Sequence, residues 1–134
     1  MDCNILHKKL ESMATGYITG EFAEIKECLD VECTFETDWR TDQECGKNEV
    51  ESYFDRKGRI LKKYQVMPSC EFVKIFYQEY HLGEEALYIK QILDGKVYDA
   101  VLVMELNAAG YVIGLALRMK ELFRMIHWYN EIAY

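Results

Sequence analysis

Ile89-Lys90-Gln91-Ile92-Leu93-Asp94-Gly95-Lys96-Val97-Tyr98-Asp99-Ala100-Val101, inside residues 84–119, decides how the chain folds. Two β-rich runs meet at Asp94-Gly95. That dipeptide tolerates the positive φ angles that a two-residue hairpin turn needs. Working outward, three consecutive strands are predicted: Glu85–Leu93, Lys96–Leu106 and Tyr111–Met119, the last two joined by Asn107-Ala108-Ala109-Gly110. In Lys96–Leu106 one face carries Tyr98, Ala100, Leu102, Met104 and Leu106. The other carries Val97, Asp99, Val101, Val103 and Glu105, so two carboxylates share a valine face.

The rest of the composition bounds the answer. A chain of 134 residues, 50% of them hydrophobic, is expected to be one domain. At that size roughly two thirds of the unfolded surface can be buried, so neither metal nor disulfide is needed to fold. Ten tyrosines, six phenylalanines and two tryptophans argue against disorder away from the ends. A net charge of −7 argues against nucleic acid as a partner, because phosphate binding needs clustered Lys and Arg. The one basic cluster, Arg56, Lys57, Arg59, Lys62 and Lys63, reads as a solvated helix face. Five scattered cysteines form no Cys-x-x-Cys and have no histidine at ligand spacing, which speaks against zinc. Met1-Asp2-Cys3-Asn4 has no basic start and no long apolar run, so free thiols in a reducing cytoplasm are expected. No apolar run reaches the ~18 residues of a membrane span.

Taken in order, Ile5, Leu6, Leu10 and Met13 recur at helical period, and a first helix is expected to break near Gly20. A second short helix is expected over residues 21–29, with Phe22, Ile25 and Leu29 on one face. Val31–Trp39 alternates as a half-buried strand and leads into a polar loop, Arg40 to Gly46. Asn48 is placed to cap a third helix from Glu49 to about Tyr64, with Gly58 threatening a kink or a break. Cys70–Tyr80 is apolar on both faces, as in a central strand covered on both sides. Lys120–Tyr134 fits either a helix or an extension of the last strand.

Three stretches carry a family resemblance. They are Tyr17-Ile18-Thr19-Gly20-Glu21-Phe22; then Cys33-Thr34-Phe35-Glu36-Thr37-Asp38-Trp39 followed by Gly46, Val50 and Tyr53-Phe54; and Val103-Met104-Glu105-Leu106-Asn107-Ala108-Ala109-Gly110-Tyr111-Val112-Ile113. With the element order, they make residues 5–119 resemble the nuclear transport factor 2-like superfamily, which has a cystatin-like fold and includes ketosteroid isomerases and SnoaL-like cyclases. The resemblance implies an α+β cone, in which N-terminal helices pack against a curved antiparallel sheet with a pocket at the open end. It also implies dimers through the sheet. Family isomerases use a tyrosine on the first helix and an acid near the end of the first strand. Met13 stands at the first position here and Asp38 near the second.

Candidate site residues follow. Asp99 and Glu105, if they face a pocket, would have raised pKa values and act as a general acid or base; on the outer face they would be exposed or at a dimer contact. Asp38 with Trp39 reads as a strand-end acid beside an aromatic that can orient a ligand, or as a loop acid and a packed indole. His127 is a general base or a structural hydrogen-bonding residue. Tyr17, Tyr53, Phe54 and Tyr77 line a pocket or fill the core. No phosphate loop, nucleophile elbow or metal-binding helix motif occurs, so no cofactor is expected. Two functions are carried forward. One is a non-catalytic cytoplasmic domain, a homodimer, binding a small apolar molecule or a protein partner. The other is a cofactor-independent isomerase, cyclase or dehydratase using carboxylate acid–base chemistry. The first is preferred, because the family's tyrosine is unmatched and no acid–base pair is fixed.

Overall fold

A computed structural model describes residues 3–65, 67–77 and 83–132. The chain begins with helix α1 (Cys3–Thr19), which buries Leu10, Met13, Ala14 and Tyr17 on one face, at the i, i+3, i+4, i+7 spacing of an amphipathic helix. It stops where expected: Gly20 takes φ 77°, a left-handed conformation that ends helices, and its N–H donates to the Gly16 carbonyl at 2.7 Å.

The predicted second helix is shorter than its periodicity suggested. Only α2 (Ala23–Lys26) is helical. The Cys28 carbonyl already accepts from the Val112 N–H at 2.8 Å, so the sheet claims the backbone before another turn can form. Strand β1 (Leu29–Thr37) therefore starts two residues before the predicted Val31. Its register shifts between Leu29 and Thr34, and this takes Val31 out of line with buried Cys33 and Phe35; Val31 is 75% exposed. The polar loop contains a two-residue strand, β2 (Glu44–Cys45), paired with Thr34 and Phe35.

Helix α3 (Lys47–Tyr64) is continuous through Gly58. It has no side-chain cap; Glu49 instead reaches back to accept from the Cys45 N–H at 2.8 Å. Gly58 breaks nothing because it is a contact residue. A Cβ there would sit 2.4 Å from the Gly20 carbonyl oxygen, so its absence lets α3 meet the end of α1.

The strands are β3 (Ser69–Tyr77), β4 (Glu84–Leu93), β5 (Lys96–Leu106), β6 (Val112–Arg118) and β7 (Phe123–Ile132). Asp94 and Gly95 both have positive φ, 52° and 76°, as the hairpin reading requires. The sheet is curved, with order β2-β1-β6-β5-β4-β3-β7. It is not wholly antiparallel: β1 runs parallel to β6, with Phe35 opposite Leu115. The tail is neither of the forms expected for it. After a 3-10 turn (Lys120–Leu122) it crosses to pair antiparallel with β3, so β3 is central between β4 and β7.

The main core lies between the helices and one side of the sheet, with Phe35, Phe54, Leu87, Leu102 and Leu115 among its members. A smaller cluster, Val73, Ile75, Ala86 and Val101, lies on the other side, against Phe123 and Met125 of β7. Both sides of β3 are thus buried, as its two apolar faces predicted. Among the described residues no helix is long and apolar enough to cross a membrane.

Candidate functional site

The helices leave one end of the sheet uncovered, and a cavity of about 470 Å³ opens there. Side chains of α1, α3, β4, β5 and β6 line it, with Trp39 from the loop after β1. That volume lies in the range of small-molecule sites.

Tyr17 sits at the buried end of the α1 stripe, and its ring meets Phe22 edge-on at 5.2 Å. It is 2% exposed, and its hydroxyl is buried with no hydrogen-bond partner among the described residues. Burial, then the nearby Tyr53 and Cys70, pushes this phenol well above its usual pKa, so Tyr17 is a neutral donor. Met13, at the position where the resemblance puts a tyrosine, is wholly buried core; the tyrosine that reaches the cavity is one turn further on.

Asp99 edges the cavity, but its carboxylate stands on the side of β5 that carries Val101 and Glu105, turned away from the helices. Its Oδ2 accepts from the Tyr88 hydroxyl at 2.5 Å and from Lys120 Nζ at 2.8 Å. The expectation of a raised pKa fails here. Burial by itself would raise the Asp99 carboxyl, but the hydrogen bonds from Lys120 and Tyr88, with the charges of Lys120 and Lys90, outweigh it and hold the group below its usual value. Asp99 is ionised and paired.

Asp38 does not line the cavity. Its Oδ1 takes Arg118 Nη1 at 2.9 Å and its Oδ2 takes the Met119 N–H at 2.8 Å, so both oxygens tie the end of β1 to the end of β6. Arg118 also pairs with Glu36. The effect falls on Trp39, the next residue, which contributes to the cavity wall while remaining 54% exposed.

The other predicted residues lie elsewhere. Phe54 is wholly buried, and Tyr53 stacks on Phe35 at 4.4 Å with the Arg40 guanidinium 5.4 Å from its ring; neither lines the cavity. Glu105 points to the side of the sheet away from the helices. It lines a separate groove of about 310 Å³ with Glu36, Glu84 and Arg118, where burial first and the Glu105 charge second raise the Glu84 carboxyl. The backbones of Tyr77 and His127 belong to β3 and β7, but their side chains lie outside the described residues.

Lys57 went unrecognised in the sequence, where it was grouped with a solvated basic face. It lines the cavity, and no acid, acceptor or ring pairs with it among the described residues. Burial lowers its pKa. The signal was present: Lys57 is seven residues after Val50, three after Phe54 and four before Leu61, all buried, so it falls on the apolar stripe. Lys120, the partner of Asp99, left no such signal, because its position depends on the turn before β7.

No group of three or more His, Cys, Asp or Glu side chains among the described residues is arranged to hold a metal ion. Burial pushes the Cys33 thiol up to about 11 and the Cys70 thiol up to about 12, so both stay protonated and unreactive.

No protein-family model matches the chain, and no curated protein matches it in sequence. Solved structures do match. A protein of unknown function with a cystatin-like fold from Methylobium petroleophilum PM1 superimposes with a TM-score of 0.64, at 11% identity, over 97% of this chain and 88% of that one. An NTF2-like protein of unknown function from Exiguobacterium sp. 255-15 gives 0.57 at 16% identity, over 84% of this chain and 95% of that one. A proposed isomerase from Bacillus subtilis gives 0.56 at 14% identity, over 87% and 84%. At such identities the likeness is one of architecture: the chain has the nuclear transport factor 2-like, cystatin-like fold.

Proposed function

We propose that this chain is a non-catalytic binding protein that holds a small, largely apolar molecule in the cavity between its helices and the uncovered end of its sheet. One observation carries the reading. Tyr17 lines the cavity, and its hydroxyl, buried behind the wall, has no partner among the described residues. An unsatisfied buried hydroxyl costs about 1–3 kcal/mol, a cost that an acceptor atom on a bound molecule would remove. Apolar walls such as Ile89, Ala100 and Leu117 supply the remaining contact.

The enzymatic alternative, an isomerase, cyclase or dehydratase, would draw its acid–base group from Asp38, Asp99 or His127, and the His127 side chain lies outside the described residues. Asp99, a carboxylate held below its usual pKa, is a weak base and, at neutral pH, not an acid. Asp38 has both oxygens occupied. The binding reading therefore stands ahead.

The test is a fluorescence titration with the neutral probe N-phenylnaphthylamine. The wild type should bind it saturably, and Ala100→Phe, which fills the cavity from β5, should abolish binding while leaving the circular dichroism spectrum unchanged. Absence of saturable binding to the wild type, or undiminished binding to the filled variant, would sink the reading.

A further inference from the structure

The charges around the cavity are unevenly matched. Of its two acidic lining residues, Asp99 is neutralised by Lys120, and Glu121 is exposed to solvent on the 3-10 turn. Lys57 is the one basic residue among the described lining, and it has no counter-ion. A partly buried lysine without an acid is unusual, because basic side chains removed from water are as a rule paired. Five other lysines and arginines among the described residues do have acids: Lys26 with Asp55, Arg40 with Glu44, Lys62 with Glu21, Arg118 with Asp38 and Lys120 with Asp99. Lys57 and Tyr17 both line this cavity.

We propose that Lys57 is the anion-recognising residue of this cavity and that its ligands are organic acids, with an apolar body in the cavity and an anionic head on the Lys57 ammonium. This rests on the binding reading and narrows it to a ligand class. The lowered Lys57 pKa fits: burial disfavours the lone cation, and a bound anion reverses that penalty. The rival role for Lys57 is a covering one, with the methylene stem shielding apolar wall and the head turned to water. The two roles differ in what removing the charge does.

The experiment compares two probes with one aromatic body, neutral N-phenylnaphthylamine and anionic anilinonaphthalenesulfonate, on the full chain. The wild type should bind the anion tighter than the neutral probe by about tenfold or more. Lys57→Met, which keeps the stem, should erase that preference while the neutral probe still binds saturably. Lys57→Gln serves as a second variant, should the first fail to fold by circular dichroism. Lys63→Met, on the same helix outside the cavity, should keep the preference. Neutral binding without anion preference, or a preference that survives loss of the Lys57 charge, would overturn the assignment of Lys57 and leave the cavity reading intact. No saturable binding of either probe would overturn both.

Discussion

Asp99 shows how a single side chain changes role with its neighbours. On an alternating strand it reads as a candidate acid or base; beside Lys120 and Tyr88 it becomes a fixed anion. Its pKa is lower in the folded than in the unfolded chain, where a carboxyl titrates near 4. The stability it contributes is therefore present above about pH 4 and lost as pH falls through the folded value. Urea unfolding at about pH 6 and about pH 3 should show the wild type losing more stability than Asp99→Asn over this interval; equal losses would mean that Asp99 is unpaired in solution. Tyr17 gives the opposite case. Its hydroxyl is buried without a partner among the described residues, so Tyr17→Phe should leave the unliganded protein as stable or raise its stability by about 1 kcal/mol, measured by urea unfolding. A loss above about 1 kcal/mol would show that the hydroxyl has a partner even without ligand. Part of this site was legible. Tyr17, Trp39 and Asp99 were candidates because aromatics and acids at strand and helix ends are visible in sequence. Lys57 was missed because its neighbours in the chain are basic, although its neighbours on the helix are apolar.

At the scale of elements, the two glycines at the α1–α3 contact work together. Gly20 ends α1 with a positive φ, and Gly58 lets α3 close onto that end. Gly58→Ala improves helix propensity by about 1 kcal/mol, but its methyl would meet the Gly20 carbonyl oxygen at 2.4 Å. The contact should win, with a net loss of about 1–3 kcal/mol by thermal or urea unfolding; a gain would mean that the helices are further apart than described. The same pair explains a limit of sequence reading. Gly58 looked like a helix breaker because propensity is local, whereas the reason for the glycine lies 38 residues away in the chain. Hairpins were legible for the converse reason: Asp94-Gly95 carries its own geometry, and β4 and β5 follow from it. The parallel pairing of β1 with β6 and the crossing of β7 to β3 have no local signature, since each joins segments far apart in sequence.

For the molecule as a whole, β7 matters more than an edge strand would suggest. The sheet has two buried sides, and among the described residues the side away from the helices has no helix to cover it. Phe123 and Met125 of β7 pack there instead, against Val73, Ile75, Ala86 and Val101. Because Val73 and Ile75 alternate along β3 with Cys70 and Phe72 of the main core, the two clusters share one strand. Loss of packing on one side should therefore weaken the whole fold. Phe123→Ala removes a partly buried ring, which should cost about 2–4 kcal/mol. Far-UV circular dichroism and tryptophan fluorescence should still report one coincident urea transition, shifted to lower denaturant. A first transition confined to β7, with the rest unfolding at the wild-type midpoint, would mean that the second cluster is a separately melting flap and that the helix-side core stands without it. Coincidence would instead make the strand with no local sequence signature part of the fold's single cooperative unit, and would put the cavity walls on β4, β5 and β6 under its control.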